Sequence, residues 1–251
     1  MAMWRAGFTK SALDVLGSVA FIAACAAIAW SAVKRPVVLT SSPAAANGPT
    51  RPKARPDMPL PAEPVSLAGA ILEGNRQASI AVIEYSEFQC QYCGKFATET
   101  LPALKKKYID SGKVLWVFRQ FPLERIHPNA LRAGAAGECA ARQGKFAEMH
   151  ASLFANQNDL TAERIDAHVT ALGLDATDFA SCMSGPGEAK VRADMQTGQS
   201  LGVTGTPTFL IGHVQPDGAV RVTRRLFGAA SVAAFEQEID AQLVTKTAAR
   251  D

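Results

Sequence analysis

Two cysteines separated by two residues, Cys90-Gln91-Tyr92-Cys93, stand where a β-type run meets a helical one. Residues 79–88 (SIAVIEYSEF) are rich in β-branched and aromatic side chains and read as a strand leading into Cys90. Beyond the motif, Phe96, Leu101, Leu104 and Tyr108 recur at helical spacing across 92–108. Pro102 is expected to kink that helix or to begin its second half, because proline removes an N–H donor and crowds the preceding turn. Ser111-Gly112 ends it, and residues 114–121 (VLWVFRQF) read as a second strand. A strand, a crossover helix and a second strand predict a right-handed connection and a parallel pair.

The remainder is mostly helical. Four apolar-periodic pieces, 129–142, 145–154, 162–172 and 176–183, are separated by Gly144, the stretch 157–160 and Gly173. A further helix over about 188–201 leads to Gly205-Thr206-Pro207. Two short strands follow, 208–211 and 221–227, joined by a turn containing Pro216-Asp217-Gly218, and a last helix covers about 232–244. The expected architecture is α/β: a small mixed sheet flanked by helices, with an all-helical insertion at about 127–186.

Two intervening residues place both sulfurs of the motif within one helical turn, where they can close a disulfide reversibly. Cys90, at the helix N-terminus, faces unpaired backbone N–H groups and the positive end of the helix dipole. These favour thiolate over thiol, which makes Cys90 the nucleophile and the better leaving group, with Cys93 as the resolving thiol. The competing readings are a structural bridge and half of a zinc site. A zinc site wants a second pair at short spacing, and Cys139 and Cys182 lie too far apart for that. His127 is expected to cap a helix start and His150 to sit on a packed helix face, while His168 and His213 show no ligand spacing. No metal or organic cofactor is expected.

The run Val82-Ile83-Glu84-Tyr85-Ser86-Glu87-Phe88-Gln89-Cys90-Gln91-Tyr92-Cys93 carries a resemblance. With it go Phe121-Pro122-Leu123, His127-Pro128, Gly144-Lys145-Phe146-Ala147-Glu148-Met149-His150 and Gly205-Thr206-Pro207-Thr208-Phe209. Over roughly residues 65–245 the chain resembles the thioredoxin superfamily, and within it the DsbA-like branch of exported thiol–disulfide oxidoreductases. The resemblance implies a thioredoxin-like fold with a helical insertion and an enzyme of thiol–disulfide exchange acting on cysteines of exported proteins. It implies a cis peptide at Thr206-Pro207, packed against the motif, with the Thr206 backbone free to pair with an extended substrate. It also implies that Glu84 is a buried acid assisting proton transfer to or from Cys93; read from alternation alone, Glu84 could equally be an exposed strand acid. Cys139 and Cys182 match the region where some relatives carry a second disulfide, two buried thiols being the alternative. An oxidase of this branch is reoxidised by a quinone-linked membrane partner of the DsbB type. The dipeptide Gln91-Tyr92 lacks the histidine of the strong oxidants, which leaves a reductase or isomerase open, as well as a non-catalytic binding or chaperone module.

Residues 15–33 (VLGSVAFIAACAAIAWSAV) carry no charge and as a helix span about 28 Å, near the hydrocarbon thickness of a bilayer. Two readings stand: a transmembrane anchor, with residues 1–14 cytoplasmic, or a cleaved signal segment. Cys25, inside the run, is expected to be a small apolar filler. Residues 34–64 hold eight of the fourteen prolines and few large apolar side chains, and read as a disordered linker. Either reading exports residues 34–251, so a periplasmic location, anchored to the inner membrane through 15–33, is expected. Residues 1–66 contain seven Lys/Arg against three acids, which leaves 19 basic and 20 acidic residues for 67–251. That balance excludes nucleic acid as a partner of the folded part.

Overall fold

The computed structural model describes residues 58–248. The segment 15–33, Cys25 and the linker as far as residue 57 lie outside the described residues. Among the described residues no helix is long and apolar enough to cross a membrane.

A five-stranded sheet has the order β1-β3-β2-β4-β5. Its strands are β1 (Ile71–Glu73), β2 (Ile80–Ser86), β3 (Val114–Gln120), β4 (Thr208–Val214) and β5 (Val220–Phe227). The central β2 runs parallel to β3, as the strand–helix–strand order predicts, and antiparallel to β4. Every residue of β2 and β3 is buried, which suits continuous apolar runs covered on both faces. β1 pairs antiparallel with β3 and went unseen in the sequence, because three residues are too few to show a period.

Helix α1 covers residues 91–109 and is not regular. The α-helical pieces Gln91–Lys95 and Leu101–Leu104 alternate with wide, π-type turns at Phe96–Thr100 and Lys105–Ile109. Pro102 sits just past the first wide turn. Its missing N–H disrupts the regular ladder there, and the helix widens rather than breaks. The insertion is formed by α2 (Ala130–Arg142), α3 (Phe146–Ala155), α4 (Ala162–Ala171) and α5 (Ala176–Met183), followed by α6 (Pro186–Ser200). The last helix is α7 (Val232–Ala248).

Three apolar clusters follow from this layering. One face of the sheet packs Ile80, Val82, Trp116 and Phe209 against Phe96 and Tyr108 of α1 and Phe235 of α7. The opposite face packs Ala81, Ile83, Tyr85, Val117 and Leu210 against Val203 and Val222. The insertion has its own core, in which Phe88, Phe118, Met149, Leu153, Ile165 and Phe179 surround Cys139 and Cys182. A buried ion pair closes the second face: Arg119 Nη1 meets Asp194 Oδ1 at 2.5 Å, and Arg119 Nη2 donates to Ser66 O and Ala68 O at 3.0 Å. The last residues of the expected linker, 58–64, lie against the domain: Arg221 Nη1 donates to Ala62 O at 2.6 Å, and Val65 bridges Val220.

Candidate active site

β2 delivers the motif. Residues alternate across a strand, so Ile80, Val82, Glu84 and Ser86 share one face and Ala81, Ile83 and Tyr85 the other. Cys90 ends the turn after β2 in an extended conformation and caps α1, and Gly94 N donates to Cys90 O at 3.0 Å. Both motif cysteines are buried free thiols, while Tyr92 between them is 66% exposed. The Thr206–Pro207 peptide is cis and lies against the motif, with Cys90 Sγ donating to Thr206 O at 3.5 Å.

The two thiols are tuned in opposite directions. The Cys93 thiol hydrogen-bonds to Cys90 and, helped by the Thr206 side chain and the N–H groups of Cys93 and Tyr92, brings Cys90 down to about 5 against the opposing effect of burial. None of these contributions is an imidazole. Cys93 goes the other way: burial pushes it well above the usual thiol range, and the neighbouring Cys90 adds to the shift.

Glu84 is fully buried, between Phe118 of β3 and Phe209 of β4 in the strand register. Burial raises its carboxyl to about 7, against the stabilising contacts of Ser86 and Trp116. Trp116 Nε1 donates to Glu84 Oε2 at 3.2 Å. Ser86, next on the same face, lowers both Glu84 and Cys93 against the larger effect of burial.

Two side chains of the site were not singled out in the sequence. Glu87, three residues before Cys90, is fully buried; its Oε2 accepts from Gln89 N at 2.7 Å and its Oε1 pairs with His127 Nδ1. Burial pushes its carboxyl up, with Gln89 N–H and His127 pulling the other way. No period marks Glu87, which stands one residue past the end of β2 and three after another acid, Glu84. Gln157, in the α3–α4 turn, donates through Nε2 to Phe88 O at 2.8 Å and Cys90 O at 2.9 Å. No local pattern marks it.

His127 was expected to cap a helix. The α2 cap is Asn129, whose N–H goes to Gln89 Oε1 at 2.5 Å, and the His127 ring instead turns to Glu87, since a buried carboxylate needs a donor. His150 packs among Phe88, Phe118, Phe146 and Phe154, and burial lowers it to about 4. Cys139 and Cys182 are joined in a disulfide, with Cα atoms 5.6 Å apart, tying α2 to α5. Among the described residues no group of three or more His, Cys, Asp or Glu could hold a metal ion.

A thioredoxin family model matches residues 67–224, more than half of the chain. The chain belongs to the thioredoxin family. Alpha-DsbA1 of Wolbachia pipientis aligns with a TM-score of 0.64 at 24% identity, covering 74% of this chain and 97% of that one. BdbD of Bacillus subtilis, in its oxidised form, aligns with a TM-score of 0.61 at 19% identity, covering 73% and 98%. At these identities the likeness is one of fold, and it includes the helical insertion. Among curated proteins, Na(+)/H(+) antiporter NhaA 3 of Salinispora tropica is 33% identical over 165 residues, 65% of this chain and 24% of that protein. This thioredoxin-family chain thus spans about a quarter of the length of the curated relatives it matches.

Proposed function

We propose that the protein is a thiol–disulfide oxidoreductase that introduces disulfides into exported proteins, with Cys90 and Cys93 as its redox pair. The observation that carries this reading is the asymmetry of the pair: Cys90 is brought down to about 5 while Cys93 is pushed far up. A thiol that ionises easily is a good leaving group, and a pair whose reduced form is stabilised as a thiolate tends to act as an oxidant.

In the reaction, a substrate thiolate attacks Cys90 Sγ of the Cys90–Cys93 disulfide. A substrate–Cys90 bond forms, the Cys90–Cys93 bond breaks, and the electron pair leaves on Cys93. Cys93 is a poor thiolate and takes a proton, for which Glu84 is the donor; a carboxyl near 7 can both hold and release it at neutral pH. A second substrate thiolate then attacks the substrate sulfur, and Cys90 departs as a stabilised thiolate. The substrate is oxidised by two electrons and the pair is left reduced. Gln91 and the exposed Tyr92 flank the point of attack, and the backbone at Thr206-Pro207 provides an edge for an extended substrate.

Reoxidation falls to a membrane partner of the DsbB type, and the domain works in the periplasm, held to the inner membrane through residues 15–33. The Cys139–Cys182 disulfide supports an extracytoplasmic compartment, since reducing compartments do not keep such bonds.

The test is to equilibrate the full chain with glutathione and measure its reduction potential beside the rate of oxidation of a reduced dithiol peptide. A potential near that of DsbA, about −120 mV, with peptide oxidation abolished in Cys90→Ser, is the expected result. A potential near that of thioredoxin, about −270 mV, makes the protein a reductase. Function that survives Cys90→Ser/Cys93→Ser makes it a binding module.

A further inference from the structure

The backbone just ahead of the nucleophile is held by a side chain of the helical insertion. Phe88 O and Cys90 O share one donor, Gln157 Nε2, at 2.8 and 2.9 Å. Cys90 O already closes the first turn of α1 by accepting from Gly94 N at 3.0 Å, so the amide is an addition to the helix rather than part of it. The side chain also has a fitted seat. A Cβ built on Gly94 would overlap Oε1, Cδ and Nε2 of Gln157, so the amide occupies the volume that the absent side chain leaves. Gly94 is buried and helical, a position where alanine would otherwise be the better helix former.

We propose that Gln157 is a positioning residue for thiol exchange: it clamps the 88–90 backbone, keeps Cys90 Sγ on its hydrogen-bond donors, and makes the redox pair depend on how the helical insertion is seated. The physical link is directional. The Cys90 sulfur is stabilised in part by the N–H groups of Tyr92 and Cys93, and such bonds weaken steeply as their angle opens. Those donors belong to the turn whose first carbonyl Gln157 holds. Glu87, paired with His127, restrains the same segment through Gln89 N, so loss of the clamp leaves that second restraint in place.

The inference rests on the thiol-exchange reading, and its test separates the two. Gln157→Ala, Gly94→Ala and the double variant are made in the full chain. For each, the pH midpoint of Cys90 alkylation, the equilibrium constant with glutathione and the melting temperature are measured. Gly94→Ala evicts the amide without altering residue 157, in a substitution that helix propensity alone makes favourable, and it stands by itself if Gln157→Ala does not fold. Both single variants are expected to raise the alkylation midpoint and to shift the glutathione equilibrium toward the enzyme disulfide. A midpoint higher by one pH unit corresponds to a shift of about tenfold. The double variant is expected to be no worse than Gln157→Ala, because the alanine at 94 then enters vacated space. Midpoints and constants that match the wild type overturn the proposal even if the melting temperature falls, and so do losses that add in the double variant. A wild-type chain without thiol exchange sinks the proposed function itself, whereas an active wild type with insensitive variants sinks only the clamp.

Discussion

Replacing Glu84 by glutamine removes a charge that the fold must strip of water. The carboxyl titrates near 7 in the folded chain against a value of 4.5 for an unperturbed glutamate, with burial as the leading cause. At about 1.4 kcal/mol per pH unit, that difference is worth about 3 kcal/mol. The folded state binds this proton more tightly than the unfolded chain does. The destabilisation is therefore absent below pH 4.5, where both states are protonated, develops between 4.5 and 7, and is complete above 7. Glutamine keeps an oxygen for Trp116 Nε1, so Glu84→Gln should resemble the wild type at pH 4.5 and exceed it by about 3 kcal/mol at pH 8. Urea unfolding at pH 4.5, 6, 7 and 8, with the redox pair oxidised in both proteins, reads this directly. Burial raises Glu87 and Glu138 as well, and the difference between the two proteins removes their shared contribution. Two stability curves that stay parallel across this range would refute the reasoning, because they would mean that Glu84 titrates as an ordinary surface acid. The same variant should slow peptide oxidation at neutral pH, where Cys93 then lacks its proton donor.

Iodoacetamide should alkylate Cys90 with a pH midpoint near 5 and leave Cys93 almost untouched; a midpoint in the ordinary thiol range of about 8 to 9 would contradict the geometry. Replacing Cys139 and Cys182 by alanine opens a closure over 43 residues and should cost about 4 kcal/mol in urea unfolding, with the Cys90 midpoint unchanged. A shifted midpoint would mean that this bridge reaches the redox pair. Asp194→Ala removes the anion that Arg119 and Lys190 share and should lose about 3–5 kcal/mol in urea unfolding; a loss below about 1 kcal/mol would mean that water reaches the two cations.

The motif and its setting were legible because they are local. A β-branched run, a two-residue gap between cysteines and a helical period lie within 30 residues of one another, and each follows from backbone sterics and side-chain spacing. Thr206-Pro207 was legible through the resemblance, and the helices of the insertion through their own periods. Glu84 marks the limit. Alternation could not orient it, because β2 is apolar on both faces: Ile80 and Val82 on its side, Ala81 and Ile83 on the other. Only its neighbours on β3 and β4, Phe118 and Phe209, show that it faces a dry core. His127 and Gln157 lie beyond that limit too, since their partners are 40 and 67 residues away in sequence.

The sequence by itself thus determined a local arrangement: two sulfurs within one helical turn at the end of a strand, and an acid upstream. The tertiary structure decided what those atoms are worth. Desolvation, a shared proton between two thiols and a donor brought in from the insertion depend on distances through space, which spacing along the chain does not encode. The same Cys90-Gln91-Tyr92-Cys93 that left an acidic nucleophile in doubt as a string becomes an asymmetric pair once Thr206 and the first turn of α1 close around it.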